Sequence, residues 1–159
     1  LINVEKKELY SDISRILKSL ILDERNFIAI LANTSALLFE KLDQVNWVGF
    51  YLLENENELV LGPFQGKIAC VRIPVGKGVC GTAVMLNKVQ RVADVHQFDG
   101  HIACDSASNS EIVLPLVVSG KTIGVLDIDS TEYERFNLDD EQGLQTIMDI
   151  LSDHLSSDN

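Results

Sequence analysis

The chain is poor in cysteine and in positive charge, and it has no long apolar run. Three cysteines among 159 residues are too few, and too odd in number, for the disulfide framework of a small secreted domain. In a reducing compartment, cysteines that do more than pack are more often catalytic or metal-binding. Lys and Arg number 13 against 24 Asp and Glu, a net charge of −11. Such a surface repels phosphates and anionic headgroups, so nucleic acid and membranes are not expected as partners. No apolar stretch approaches the roughly 20 residues of a membrane-spanning helix. The opening residues, L-I-N-V-E-K-K-E, bring charge early and lead into no apolar block, which is no secretory signal. The expected compartment is the cytoplasm. Repeats, linkers and composition breaks are also lacking, so residues 1–159 read as one domain. Hydrophobic residues make up 46% of the chain, which excludes disorder and suffices for a core without staples.

Apolar periodicity divides the chain into elements. Leu9, Ile13, Ile16, Leu17, Leu20 and Ile21 fall at helical spacing within Val4–Leu22, with charged residues on the other face. A second helix is read from about Arg25 to Leu42, with a stripe of Ile28, Leu31, Ala32, Ser35, Leu38 and Phe39. Both stripes are expected to bury area against the core or against a second copy in a homodimer. From Asn46 to Leu53 the run is short and aromatic, a strand. Asn55-Glu56-Asn57 turns it into a return strand, Leu59–Leu61. Trp47, Gly49 and Tyr51 share one face of the first strand, and Val48, Phe50 and Leu52 the other. Gly62-Pro63 and Gly66 are read as an interruption, followed by a strand Ala69–Pro74. The glycines of G-K-G-V-C-G-T match neither the Walker nor the dinucleotide spacing, and are read as turn and close-approach positions. A short helix follows at about Gly78–Leu86, then a strand Val89–Val92. After a long loop come strands Glu111–Val118 and Thr122–Ser130, and a helix from Leu138 to Leu155 capped by Asn137. Ser156–Asn159 is read as a frayed tail. This order is α+β, an antiparallel sheet with helices on one face.

Two stretches carry chemistry. The loop Asp94–Asn109 is long and too polar to pack a core, and it holds Cys104, His96 and His101. A thiol in such a loop is accessible, which reactivity requires. Asp127 and Asp129 stand two apart in an apolar strand, so both point to one face, together with Val125. Aspartate is depleted in strands and like charges repel. The pair is expected to bind a cation or to share a proton, unless the strand end simply reaches solvent.

Six segments, N-W-V-G-F-Y, G-P-F-Q-G-K-I-A-C, G-K-G-V-C-G-T-A, V-A-D-V-H-Q-F-D-G-H-I-A-C-D, S-E-I-V-L-P and I-G-V-L-D-I-D-S, closely resemble the free methionine-(R)-sulfoxide reductases. The resemblance runs from about Asn46 to Ser130. It implies a GAF-like single domain with a ligand pocket on the sheet face opposite the helices. It implies reduction of the R epimer of free methionine sulfoxide, with thioredoxin as reductant. By motif, Cys104 is the catalytic cysteine, Cys70 the resolving cysteine and Cys80 the third family cysteine, which has also been favoured as the nucleophile. Glu111, Asp127 and Asp129 form the carboxylate cluster, and Trp47 and Tyr51 the aromatic pocket. A clustered carboxyl with a raised pKa can protonate the departing oxygen, while an ionised one grips the substrate ammonium. A sulfenic acid on Cys104 would condense with Cys70, given a Cα separation within about 7 Å. No flavin, haem or metal is called for. His96 or His101 could lower a thiol pKa or merely hold the loop.

Two other classes compete. One is a non-catalytic GAF sensor of a small ligand, against which stand the absence of an attached output domain in these residues and the coincidence of thiols with acids. The other is a zinc site of Cys70, Cys80, Cys104 and a histidine, weakened by the lack of a C-x-x-C pair.

Overall fold

The computed structural model describes residues 2–102 and 104–157. Helices α1 (Ile2–Ile21) and α2 (Phe27–Lys41) precede strands β1 (Trp47–Asn55), β2 (Glu58–Gly66) and β3 (Arg72–Pro74). Helix α3 (Gly78–Leu86), strand β4 (Gln90–Val92) and a single 3-10 turn at Val95–Gln97 follow. Strands β5 (Ser110–Val118) and β6 (Lys121–Ser130) and helix α4 (Leu138–Ser156) complete the order. All six strands form one antiparallel sheet in the order β3-β2-β1-β6-β5-β4. The C-terminal residues read as a frayed tail start with Ser156 still helical, and residues 158–159 lie outside the described residues.

The register makes the sheet a partition. Ile112, Ile128 and Val48 stand in one row across β5, β6 and β1, and Leu114, Leu126 and Phe50 in another. These residues are fully buried under α1, α2 and α4. The alternate rows face the opposite side. Glu111 pairs with Asp129 and Asp129 with Trp47; Val113 pairs with Asp127 and Asp127 with Gly49. Period-2 side-chain alternation therefore collects one apolar face and one face of acids and aromatics from the same three strands.

Five readings need correction. The α2 stripe is rotated: Ile30, Leu31, Thr34, Ser35, Leu37 and Leu38 are buried, while Ile28 and Phe39 are exposed. The helix is apolar around most of its girth, so spacing alone did not fix its buried side. Leu20 of α1 also points outward, and Tyr10, absent from the expected stripe, is buried instead. Gly62-Pro63 does not interrupt β2. The register slips by one between the pairs Gly49–Phe64 and Tyr51–Leu61, so two residues of β2 oppose Phe50. A bulge of this kind leaves a residue unpaired, which suits a proline without an N–H. The expected strand Ala69–Pro74 is ordered as a strand only over Arg72–Pro74, leaving Cys70 in coil. Finally, α3 packs on the sheet face opposite the other three helices, with Val79, Cys80 and Ala83 in a second apolar cluster with Trp47, Tyr51 and Val125.

Candidate active site

The acid-bearing face of the sheet is closed by three pieces of chain into a chamber. Strand β1 contributes Trp47 and Tyr51, β5 contributes Glu111 and β6 contributes Asp127 and Asp129. Helix α3 brings Cys80 over the acids, and the loop after the 3-10 turn brings His101, Ile102 and Cys104. Ile68 and Ala69, from the coil between β2 and β3, complete the cover. The next residue, Cys70, is bonded to Cys104 in a disulfide with a Cα separation of 5.4 Å. Cys70, Cys80, Cys104, Trp47, Tyr51, Glu111, Asp127 and Asp129 thus meet in or at the edge of one cavity. The zinc set does not exist in this structure, because the disulfide consumes two of its four ligands and leaves Cys80 as the free cysteine. Among the described residues, the group with ligand atoms close enough to share a metal is Cys80, Glu111 and Asp127, all within 4.8 Å of one another.

The aromatic wall has a structural reason. Gly49 lies between Trp47 and Tyr51 on this face of β1. The space over Gly49 is taken by Phe64 of β2 and by the Trp47 ring itself, which stacks on Phe64 at 5.2 Å between centroids and on Tyr51 at 5.8 Å. A Cβ at position 49 would overlap Phe64, so glycine is required by the close approach. Both polar tips are used: Trp47 Nε1 donates to the Lys67 carbonyl at 3.1 Å, and Tyr51 Oη to the Cys70 carbonyl at 2.8 Å.

Burial governs the electrostatics. Desolvation pushes Glu111 well above the usual carboxylate range, and the neighbouring charges of Asp127 and Asp129 push it further. Asp129 is likewise pushed well up, first by burial and then by Asp127. Burial also raises Asp127, but hydrogen bonds with Glu111, Cys80 and Asp129 pull it back, making it the member of the three most ready to ionise. One of its oxygens, Oδ1, is buried without a hydrogen-bond partner among the described residues. A buried acceptor left so is costly and is suited to a donor arriving with a ligand. Burial, then the acids around it, push the Cys80 thiol well up, so it stays protonated. His101 is lowered, first by burial and then by His96, so its ring is held toward the neutral form and offers little positive field to a thiol.

The loop bearing Cys104 is pinned by residues that sequence reasoning passed over. Asn109 Oδ1 sits 2.9 Å from His96 Nε2, its Nδ2 donates to the Thr131 carbonyl at 2.7 Å, and its backbone bonds both Val95 and Ser130. His96 therefore holds the loop rather than lining the cavity. Asn46 Nδ2 donates to Asp105 Oδ2 and to Ser108 Oγ, each at 3.1 Å, from the residue just before β1. The signal for Asn46 and Asn109 was only their polar amides beside strand ends, which is common turn chemistry.

The six-stranded antiparallel sheet and its chamber, walled by aromatics and holding a free thiol, a disulfide and clustered acids, define a class: a GAF domain with thiols and acids gathered on one sheet face. Residues 25–156 match the GAF domain family model. The free methionine-R-sulfoxide reductase of Escherichia coli (strain K12) is 66% identical over 145 residues, covering 91% of this chain and 87% of that protein. Two solved structures are similar over most of their length. One is that of the Staphylococcus aureus fRMsr in complex with substrate, 57% identical, covering 92% of this chain and 95% of that one, with a TM-score of 0.87. The other is the free methionine-R-sulfoxide reductase from Neisseria meningitidis in complex with its substrate, 44% identical, covering 92% and 87%, with a TM-score of 0.88. The chain belongs to the free methionine-R-sulfoxide reductase family. Among the described residues, no helix is long and apolar enough to cross a membrane.

Proposed function

We propose that this chain, acting as a single cytoplasmic domain, reduces free L-methionine-(R)-S-oxide to methionine and is recycled by thioredoxin. The observation that carries the reading is the meeting of Cys104, in disulfide with Cys70, with Glu111, Asp127 and Asp129 in one chamber. The substrate ammonium sits against Asp127, whose Oδ1 has no other partner among the described residues. A peptide bond would remove that cation, which accounts for a free amino acid as substrate. Trp47 and Tyr51 wall in the methyl group. The Cys104 thiolate attacks the sulfoxide sulfur while Glu111 or Asp129, held protonated, hydrogen-bonds and protonates the oxygen. In net terms sulfoxide and thiol become thioether and sulfenic acid. Cys70 then condenses with the sulfenic acid, forming the disulfide and releasing water. Thioredoxin exchanges its dithiol for the disulfide. A homodimer is also part of the proposal, and light scattering reads it.

The test is NADPH consumption with thioredoxin, thioredoxin reductase and methionine-(R)-sulfoxide. No turnover with intact cysteines would favour the ligand-sensor reading. Cys104→Ser is expected to abolish methionine release in a single turnover of reduced protein. Cys70→Ser is expected to keep one turnover and lose thioredoxin-driven cycling. First-turnover loss in Cys80→Ser but not in Cys104→Ser would move the nucleophile to Cys80.

A further inference from the structure

The coil of residues 67–71 has to present Cys70 to Cys104, yet it belongs to no strand. Ile68 within it is 92% exposed and Val71 58%, so burial of its own side chains does little to fix it. Ordering such a coil carries an entropic cost for every residue. Two side chains offset that cost. Trp47 Nε1 holds the Lys67 carbonyl at one end of the segment, and Tyr51 Oη holds the Cys70 carbonyl itself. Among the described residues, no other hydrogen bond reaches residues 67–70; the next lies at Val71, whose carbonyl accepts from the Leu61 N–H at 2.8 Å. Both donors stand on β1, a strand paired on both sides, and both residues are at least nine-tenths buried. Burial, and then Asp127, Cys80, Asp129 and Glu111, push the Tyr51 phenol far up, so it keeps its proton and remains a donor.

We propose that Tyr51 and Trp47, beyond walling the chamber, are positioning residues for the resolving step: their hydrogen bonds to the Cys70 and Lys67 carbonyls hold Cys70 within bonding reach of Cys104 when both are thiols. The inference rests on reading these two cysteines as the redox pair. Its chemical consequence is a high effective concentration of one thiol at the other. The same holding acts whether the disulfide forms from a sulfenic acid with loss of water, or by exchange with glutathione disulfide to give two glutathiones. The second route requires no sulfoxide and no turnover.

The experiment equilibrates the whole protein in glutathione and glutathione disulfide mixtures, alkylates free thiols and reads the disulfide fraction by mass. Tyr51→Phe keeps the ring and removes only the donor, and Trp47→Phe removes the donor together with part of the indole ring. Each is expected to lower the protein-disulfide equilibrium constant about three- to tenfold, the worth of one hydrogen bond, and the double variant more than either. After one equivalent of sulfoxide, the variants should also retain Cys104 sulfenic acid that a selective carbon nucleophile traps. Thermal unfolding of the reduced variants checks the fold, and Trp47→Phe carries the reading if Tyr51→Phe fails to fold. Equilibrium constants within twofold of the parent in the folded variants would overturn the inference. A parent whose Cys70 and Cys104 never pair in these buffers would overturn it together with the proposed mechanism. A shifted equilibrium in a protein without reductase activity would sink the proposed function and leave the positioning role standing.

Discussion

At the scale of residues, three carboxyls that resemble one another in sequence are divided by their surroundings. Glu111 and Asp129 are pushed well up by burial and by each other's neighbour, Asp127, while hydrogen bonds to Asp127 restrain its own rise. The sign of the linkage follows. Carboxyls kept protonated in the fold, but ionised in the unfolded chain, make the native state bind more protons. Stability from them is complete below the ordinary carboxylate range and is lost as pH rises through the raised pKa values. Asp129→Asn is therefore expected to raise the melting temperature at about pH 8 by roughly 3 °C, with no gain near pH 4. Scanning calorimetry at the two pH values checks it, and an equal gain at both would remove burial of the acid as the cause. Activity should move the other way. Single-turnover methionine release should fall as pH climbs through the raised carboxyl range, because the proton donor is lost. Glu111→Gln should be slower by about 100-fold or more, as for removal of an acid catalyst, and a rapid-quench pH profile should show that alkaline fall flattened. An unchanged profile would move the proton donor to Asp129.

At the scale of elements, the disulfide joins two coils whose positions come from regular neighbours. The Cys104 loop is tied at Asn109 to the 3-10 turn, to the end of β6 and to Thr131. Asn109→Ala deletes two side-chain hydrogen bonds, each worth about 1 kcal/mol, and leaves the sheet rows intact. It should slow the single-turnover rate on the order of tenfold and lower the melting temperature by roughly 4–8 °C. A large fall in melting temperature at an unchanged rate would make Asn109 a fold residue only. The bulge in β2 is equally local: it accommodates Pro63 and puts Phe64 beside Gly49, behind the Trp47 ring.

At the scale of the molecule, the sheet separates a helix-covered core from an acid-lined chamber, and α4 has to be locked to α1 for that core to close. The lock is Asp140, 1% exposed, which accepts from Lys6 Nζ and Tyr10 Oη, each at 2.7 Å, with Arg135 Nη1 at 3.4 Å. Burial pushes its pKa up, but hydrogen bonds from Lys6, Asn137 and Tyr10, and the Arg135 charge, outweigh that and leave it below the ordinary value. Its stabilisation is thus present above the ordinary carboxylate range and lost as pH falls through the lowered pKa. Next to it, α1 and α4 approach so closely that a Cβ at Gly143 would overlap the Tyr10 ring. Asp140→Ala should cost about 3 kcal/mol, as for removing one partner of a buried ion pair, and lower the melting temperature by roughly 6–12 °C. Urea unfolding measures it. A cost under 1 kcal/mol would mean that the cations find water instead.

Several things about this protein were settled by local chemistry and could be read from the chain. The order of elements, the two-faced pattern of β1 and β6 and the cap of α4 follow from side-chain period and from single polar residues, which act over a few positions. The residues that meet in the chamber could be named from the chain because their motifs match a known family, and because Asp127 and Asp129 break the rule against acids in strands. The buried side of α2 was not legible, because a helix apolar on most sides has no unique orientation until it packs. The same limit hid the passage of α3 to the far face, the partners of Asp140 and the two tethers on the Cys70 coil. Each joins residues far apart in the chain: Tyr10 lies 130 positions from Asp140, and Asn46 lies 59 from Asp105. Strand register and helix docking bring such pairs together, and no local pattern encodes which distant polar group a buried donor will meet.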